Sequence, residues 1–352
     1  MKRILLFMCN RGTFIERYRI PPHLVQELIE EISPFARDDT EEAIPLHLRV
    51  LASLSFYATG SYQRRVGMDA FDMMSQSAVS KSITEISNIL SNDLSHKYIR
   101  FPKTQSEVDL VKMRFKDDYK LDGVFALIDG TLVRWNSCSI SALGSSIRNS
   151  FISRRHFLAI NVLIIIDSDM RILYINARYP GSTHDTFIWH NSKIFGLLES
   201  QFNLEDQSQN IYRNSFMFGD LGYPLEPWLM IPVSDFTDNQ RNEKRFNKKQ
   251  RTIRNKIERF NACFKNRWRC CLGEQALRYK HEKAGKIIYA CATLHNFLIH
   301  HSFDVEHEIP AYTESDVSEE YGVDMLDIDN PYLEEGKAVR NALIAKMFPS
   351  SV

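Results

Sequence analysis

Residues 157–179 read FLAINVLIIIDSDMRILYINARY, two apolar runs separated by a short polar stretch. Runs of this length that are rich in Ile, Val and Tyr are typical of buried β-strands, and the polar stretch supplies residues that favour a turn. We therefore predict an antiparallel pair of strands joined at Ser168 and Asp169.

Further strands are predicted on both sides of this pair. The segment GVFALIDGTLVRW precedes it at residues 123–135, and FMFGD and WLMIPV follow it at residues 216–220 and 228–233. Apolar residues recur every three or four positions from Val25 to Ile32 and again from Lys286 to His300, which is the periodicity of helices. The chain is therefore expected to be an α/β protein with helical segments before and after a sheet.

Composition excludes some classes of protein and leaves others open. The 352 residues include 44 basic and 44 acidic side chains, so net charge argues neither for nor against a nucleic-acid partner. The six cysteines form no CxxC pair, which favours reduced thiols over a structural zinc site or a disulfide scaffold. No apolar stretch approaches the roughly 20 residues of a membrane span, and the N-terminal apolar run is short for a signal peptide.

Four carboxylates form the candidate catalytic group. Asp129 and Asp220 each follow a predicted strand, Asp185 closes the loop PGSTHD, and Glu258 lies in a basic predicted helix. If the fold gathers them, they would repel one another unless cations lay between them, and oxygen ligands suit Mg²⁺ or Mn²⁺. Two such ions could activate water and stabilise the leaving oxygen of a phosphodiester. The alternative is a turn or capping role for each aspartate and a surface pair with Arg254 for Glu258.

Five motifs occur in an order that resembles a known family, the PIF/Harbinger superfamily of DDE transposases and the nucleases derived from them. They are IDGT at Ile128–Thr131, PGSTHD at Pro180–Asp185, GDLGYPLEPWLMIP at Gly219–Pro232, IERFNACFKNRWRC at Ile257–Cys270 and CATLHNFLIHH at Cys291–His301. The resemblance implies an RNase H-like catalytic core, a mixed sheet flanked by helices, preceded by an all-helical helix-turn-helix region.

The same resemblance implies the roles of the acids. Asp129, Asp220 and Glu258 match the catalytic triad of the family, and Asp185 matches a further metal ligand, so all four would bind a divalent cation, Mg²⁺ or Mn²⁺. It also implies DNA as the substrate, a Myb-like DNA-binding protein as a partner, and a nuclear location with a cytoplasmic pool.

Four regions are predicted along the chain. They are an N-terminal helical lead (1–43), a helix-turn-helix-like DNA-binding region (44–118), the nuclease domain (119–302) and an acidic flexible tail (303–352). From Asp304 to Glu335 the tail has twelve acidic residues and no Lys or Arg, which is typical of a solvated segment. A short helix is predicted from Glu334 to Met347.

Two segments are candidates for DNA contact. Residues 241–269 hold twelve Lys or Arg against two acids, a density that attracts phosphates without sequence preference, although such runs are often only solvated helix faces. Residues 62–83 are interpreted as a helix-turn-helix whose second helix starts at Ser75, although three-helix packing without DNA is the alternative. The predicted DNA-binding residues are Arg64, Arg65, Gln76, Ser77, Ser80, Lys81, Arg251, Arg254, Lys265 and Arg267.

Three functions remain open at this stage. The first, which we favour, is a metal-dependent endonuclease that descends from a transposase but does not transpose by itself. The second is a catalytically silent DNA-binding or adaptor protein, and the third is an active transposase of a mobile element. The complete set of acids favours catalysis.

Overall fold

The computed structural model describes residues 10–37, 44–67, 74–136, 145–234, 241–273, 276–305 and 330–349. Within these ranges five strands form one mixed sheet in the order β3-β2-β1-β4-β5. The strands are β1 (Val124–Arg134), β2 (Ala159–Ile166), β3 (Ile172–Pro180), β4 (Phe216–Phe218) and β5 (Leu229–Met230). β1 pairs antiparallel with β2 and parallel with β4, and this helix-flanked sheet fits an RNase H-like core.

The predicted antiparallel pair is confirmed as β2 and β3. β2 is buried along its whole length, which explains why its sequence is continuously apolar instead of alternating. In the connecting turn, Oδ1 of Asp167 accepts hydrogen bonds from the backbone N–H groups of Asp169 and Arg171, at 2.8 and 2.9 Å. Burial raises the pKa of Asp167 to about 6. The turn is therefore held by a carboxylate that is costly to ionise.

β5 is shorter than the strand predicted at residues 228–233. Only Leu229 and Met230 pair with β4. Pro232 has no N–H group to continue the hydrogen-bond ladder. The side chain of Asn247 accepts a hydrogen bond from the backbone N–H of Val233 and donates one to its carbonyl. The last part of this segment is thus tied to a helix instead of to the sheet.

Helices make up most of the remaining described chain. They are α1 (Arg11–Tyr18), α2 (Pro22–Ile32), α3 (Leu46–Thr59), α4 (Gln63–Gly67), α5 (Gln76–Asn88), α6 (Ser95–Tyr98), α7 (Gln105–Tyr119), α8 (Ser145–Ser150), α9 (Asp185–His190), α10 (Lys193–Phe202), α11 (Arg241–Arg267), α12 (His281–His300) and α13 (Leu333–Met347). α13 confirms the short helix predicted near the C-terminus. Of the helices in the described ranges, none combines the length and the apolar character needed to cross a membrane.

The two helices of the proposed helix-turn-helix are α4 and α5. Ser75 caps α5 as predicted, since its Oγ accepts a hydrogen bond of 3.2 Å from the backbone N–H of Ala78. Residues 68–73, which include most of the predicted turn, lie outside the described ranges. The helix-turn-helix therefore remains a prediction.

The long helix α11 packs one apolar face against the sheet. Phe246, Ile253, Ile257 and Phe260 are fully buried, at spacings that return to the same side of a helix. Gln250 lies on this face too, and its Nε2 donates to the backbone oxygens of Gly219 and Met230 at 3.0 and 3.2 Å. The helix is thereby fixed in rotation over the ends of β4 and β5.

α12 joins the sheet to the N-terminal helices. The side chain of Asn296 bonds both backbone groups of Ile172 in β3 and also donates to the carbonyl of Tyr98. Buried apolar residues of the N-terminal helices and of the sheet form one continuous cluster. The helices before residue 119 are thus packed onto the sheet instead of forming a separate core.

Candidate functional site

Asp129 lies in the middle of the sheet, on β1. It pairs in register with Ile164 of β2, and only 8% of its surface is exposed. Its Oδ2 accepts a hydrogen bond of 2.8 Å from Nδ2 of Asn261, and its Oδ1 lies 3.3 Å from Nη2 of Arg254. Both partners come from α11, so the packing of that helix decides what surrounds this carboxylate.

Asp220 is brought beside Asp129 by strand register. β4 is the parallel neighbour of β1, and Leu127 of β1 pairs with Phe218 of β4. Asp129 comes two positions after Leu127, and Asp220 comes two positions after Phe218. Oδ1 of Asp220 accepts a hydrogen bond of 2.9 Å from the backbone N–H of Gly222, which fixes its orientation. Asp129 on β1 and Asp220, two residues beyond the end of β4, therefore lie side by side at the same level of the sheet.

The guanidinium of Arg254 lies close to both of these carboxylates. Nη2 of Arg254 is 3.3 Å from Oδ1 of Asp129 and 3.9 Å from Oδ2 of Asp220. All three side chains are buried or nearly so, where charges interact more strongly than in water. Arg254 therefore offsets part of the repulsion between the two carboxylates.

Asp185 is the first residue of α9 and reaches the same region from β3. Nδ2 of Asn161 donates to its Oδ1 at 2.7 Å and to the carbonyl of Thr183 at 2.9 Å. The carboxylate lies against Gly130, where an added Cβ atom would come within 2.4 Å of Oδ1. Glycine is thus required beside Asp129 for Asp185 to approach.

Glu258 lies on α11 between the two residues that hold Asp129. It is four positions after Arg254 and three before Asn261, so the three side chains share one face of the helix. Unlike those two neighbours, Glu258 is exposed. The fourth predicted acid is therefore placed at the open side of the site, toward solvent.

Tyr223 adds a buried hydroxyl among the acids. Its surface is 1% exposed, and within the described residues its hydroxyl oxygen has no hydrogen-bond partner. Burial raises its pKa well above the usual value, and the charges of Asp185, Asp220 and Asp129 raise it further. The side chain is therefore a neutral donor that faces three carboxylates.

The donor atoms of this site suit a hard divalent cation. The four carboxylates supply oxygen ligands, and Oδ1 of Asn261 is a buried acceptor without a partner beside Asp129. Within the described ranges, however, no three of the carboxylates have oxygen atoms all within 4.8 Å of one another. Arg254 takes part of the space between Asp129 and Asp220, so binding an ion there would require its side chain to withdraw.

The predicted DNA-binding residues are distributed unequally. The side chain of Arg65 lies outside the described part of the chain. Ser80 and Lys265 are half-buried, and the exposed residues are Arg64, Gln76, Ser77, Lys81 and Arg251.

Arg254 and Arg267 are the two buried members of the predicted set of DNA contacts. Arg254 is occupied by the two aspartates. Arg267 is 1% exposed, and its guanidinium donates to the carbonyls of Arg19 and Val305 at 2.9 and 3.3 Å. Contact of either side chain with a DNA backbone would require it to leave these partners, so a DNA-binding role for the two stays a prediction.

Sequence reasoning missed three polar residues of the site. Asn161 and Asn261 orient Asp185 and Asp129, and Tyr223 places a buried hydroxyl among the acids. A signal for Asn261 existed, since it follows Glu258 by three positions on the same predicted helix face. No comparable signal marked Asn161, which lies within the apolar run of β2.

Comparison with known proteins gives a consistent picture. Residues 128–296 match the model of the DDE superfamily endonuclease family. The chain is 26% identical over 297 residues to "Putative nuclease HARBI1" of Xenopus laevis, covering 84% of this chain and 80% of that one. Its human counterpart is 28% identical over 291 residues, 82% and 78% of the two chains. "Protein ALP1-like" of Arabidopsis thaliana is 25% identical over 266 residues, which cover 74% of this chain and 63% of that one. The comparison with solved structures gave no match.

Proposed function

We propose that this chain, whose residues 128–296 match the model of the DDE superfamily endonucleases, cuts DNA phosphodiester bonds with the help of divalent metal ions. Similarity to chains named "Putative nuclease HARBI1", together with the resemblance to nucleases derived from Harbinger transposases, supports a protein that retains cleavage without transposing by itself. The observation that carries the proposal is that Asp129 on β1 and Asp220 just beyond the parallel strand β4 lie at the same level, with Asp185 beside them.

Four acids would hold the metal in this proposal. Asp129 and Asp220 form the buried side of the site, Asp185 is half-buried beside them, and Glu258 closes the site from the exposed face of α11. Bound Mg²⁺ or Mn²⁺ would supply an activated water and stabilise negative charge on the leaving oxygen.

The neighbouring side chains have positioning roles in the same proposal. Asn261 and Asn161 fix Asp129 and Asp185 by hydrogen bonds of 2.8 and 2.7 Å. The Tyr223 hydroxyl donates to an oxygen that enters the site, which gives it the partner it otherwise lacks. Arg254, once it has withdrawn from between Asp129 and Asp220, would lie beside the ion and stabilise charge that develops on the phosphate.

The exposed charges of α11 support DNA as the substrate. Lys244, Arg245, Lys248 and Arg251 are exposed on the helix that also carries Glu258. A duplex backbone drawn to this surface would pass the metal-binding acids. We also propose that the exposed start of α5, with Gln76, Ser77 and Lys81, together with Arg64 of α4, contacts DNA in the manner of a recognition helix.

Nicking of a supercoiled plasmid by the purified protein tests the proposal. Wild type is incubated with Mg²⁺ or Mn²⁺ beside Asp129→Ala, Glu258→Ala and the matched control Glu243→Ala on the same helix. We expect metal-dependent nicking by wild type and by the control, and none by the two site variants. Equal nicking by all four proteins would point to a contaminating nuclease and overturn the proposal.

A DNA-binding adaptor without cleavage is the second candidate. The contact of Arg254 with both Asp129 and Asp220 favours it, because a cation of the chain already lies between the acids. DNA binding in a mobility-shift assay without any metal-dependent nicking would support the adaptor.

The resemblance further motivates two proposals about the cell. We propose a Myb-like DNA-binding partner that delivers the DNA, and a mainly nuclear location with a cytoplasmic pool. Addition of such a partner to the nicking assay should raise the rate on its own target DNA. Tagged protein that stays wholly outside the nucleus would contradict the proposed location.

A further inference from the structure

Three cysteines meet in the core, away from the acids. Cys270 and Cys271 lie in the 3₁₀ turn Arg269–Cys271 that follows α11, and Cys291 lies in α12. The Sγ atom of Cys270 is 3.8 Å from that of Cys271 and 3.6 Å from that of Cys291, and all three sulfurs lie within 4.8 Å of one another. We call this group the three-cysteine cluster.

The cluster is closed off from solvent on every side. Each of its residues is at most 1% exposed. The end of α3 lies against it, since a Cβ atom at Gly60 would come within 3.2 Å of Cα of Cys270. Buried single cysteines usually serve as small apolar side chains. Three sulfurs converging on one point differ from that case, because they present a set of ligand atoms instead of one packed group.

The spacing of the sulfurs fits one metal ion. An ion in the plane of the three Sγ atoms would lie about 2.1–2.4 Å from each, which matches metal–thiolate bonds of about 2.3 Å. Within the described residues no His, Asp or Glu joins the cluster as a fourth ligand. Zn²⁺ in structural sites takes four ligands, whereas purely thiolate sites with fewer ligands select soft ions such as Cu(I).

We propose that the three-cysteine cluster binds one soft, thiophilic metal ion, Cu(I) in preference to Zn²⁺, through three sulfur ligands. The ion would join the end of α11 to α12 and so stabilise the far end of the helix that carries Glu258. This proposal does not depend on nuclease activity.

Copper binding by a variant that keeps only the cluster tests the proposal. Cys9, Cys138 and Cys263 are changed to Ser, and the reduced protein competes under anaerobic conditions with a coloured Cu(I) chelator. We expect one Cu(I) per chain, and X-ray absorption should report three sulfur neighbours. Cys271→Ala in the same background should lower the affinity at least tenfold, while circular dichroism and thermal unfolding of both metal-free proteins confirm that they are folded.

Several results would overturn the proposal. One is equal copper uptake by the cluster variant and its Cys271→Ala derivative. Another is absorption data with two sulfurs, which would mean that the three atoms do not act together. Tight Zn²⁺ binding without Cu(I) binding would reject the choice of metal. Because the absorption measurement uses the cluster variant itself, the proposal stays testable even if Cys271→Ala does not fold.

Discussion

The carboxylate of Asp185 lies so close to Gly130 that a Cβ atom at residue 130 would come within 2.4 Å of its Oδ1 atom. This contact brings an acid from the start of α9 against the strand that carries Asp129. A hydrogen bond from a side chain reinforces it from the other side, since Oγ1 of Thr186 donates to the backbone carbonyl of Gly222 at 2.8 Å. The loops of Asp185 and Asp220 are thereby tied together around β1.

Gly130→Ala should abolish most of the nicking activity, because the new methyl group would push Asp185 away from Asp129. We expect a loss of at least tenfold in nicking rate and a destabilisation of about 1–3 kcal/mol from overpacking. Gly196→Ala is the control: nothing lies within 4 Å of its added Cβ atom on α10. That change should stabilise the helix by about 0.5–1 kcal/mol and leave nicking unchanged. Full activity of Gly130→Ala would remove Asp185 from the site.

Tyr223→Phe should separate stability from activity. Its hydroxyl is buried and has no partner within the described residues, so removing it should raise the free energy of unfolding by about 1 kcal/mol. The nicking rate should nevertheless fall about tenfold, since the proposed donor to an oxygen in the site is lost. Tyr212→Phe is the matched change, because its hydroxyl donates to the carbonyl of Pro102. That variant should lose stability and keep its nicking rate; the reverse pattern would contradict a role for Tyr223.

Arg254→Gln should bind Mn²⁺ more tightly than wild type in calorimetric titration, because the guanidinium competes with the ion for Asp129 and Asp220. We expect a gain in affinity of about tenfold, equivalent to about 1.4 kcal/mol. Without metal the variant should be less stable, since the two buried carboxylates then lack a cation. Arg251→Gln, on the exposed side of the same helix, should leave Mn²⁺ affinity unchanged. Weaker Mn²⁺ binding by Arg254→Gln would mean that the arginine supports the metal site.

Lys248→Gln combined with Arg251→Gln should weaken binding to any duplex sequence. Both side chains are exposed on α11, and each lost phosphate contact should reduce the slope of log affinity against log salt by about 0.9. Affinity is measured by fluorescence anisotropy at several salt concentrations. The pair Lys103→Gln and Lys193→Gln removes two exposed charges elsewhere and should leave the slope unchanged. An unaltered slope in the α11 variant would place the DNA on another surface.

Asp167→Asn should change how stability depends on pH. The folded pKa of about 6 lies above the unfolded value of about 3.9, so wild type loses stability as pH rises between these values. The side-chain oxygen of Asn should still accept the hydrogen bonds of the turn. The substitution should also remove the loss of stability between pH 4 and pH 7.5, which is on the order of 2–3 kcal/mol. Denaturant unfolding at pH 4 and pH 7.5 measures the effect. Asp109→Asn, a change at an exposed carboxylate on α7, is the control. If Asp167→Asn keeps the pH dependence of wild type, ionising the buried carboxylate of Asp167 carries no cost.

Much of the sheet could be predicted because its strands are encoded locally. The apolar run of β2 and the turn at Ser168 and Asp169 identify a buried hairpin without further information. The end of β5 could not be predicted, since it depends on Asn247, which bonds the backbone of Val233 from another element. Local signals therefore give the strands, and distant partners decide where they end.

The candidate site divides in the same way. Asp129 and Asp220 could be recognised because each follows a short apolar strand within a family-like motif. The role of Arg254 could not, since a basic helix does not reveal which of its residues faces the sheet. The same applies to the cysteines: 20 residues separate Cys271 from Cys291, and only the turn after α11 brings them together.

The buried guanidinium of Arg267 links regions that look separable in the sequence. It donates to the carbonyl of Arg19 after α1 and to that of Val305 beyond α12. A shortened protein that ended near residue 302, or began after residue 20, would leave this charge partly unsatisfied inside the protein. Removing either segment to isolate a minimal nuclease would therefore weaken the packing of Arg19 and Val305 against the end of α11.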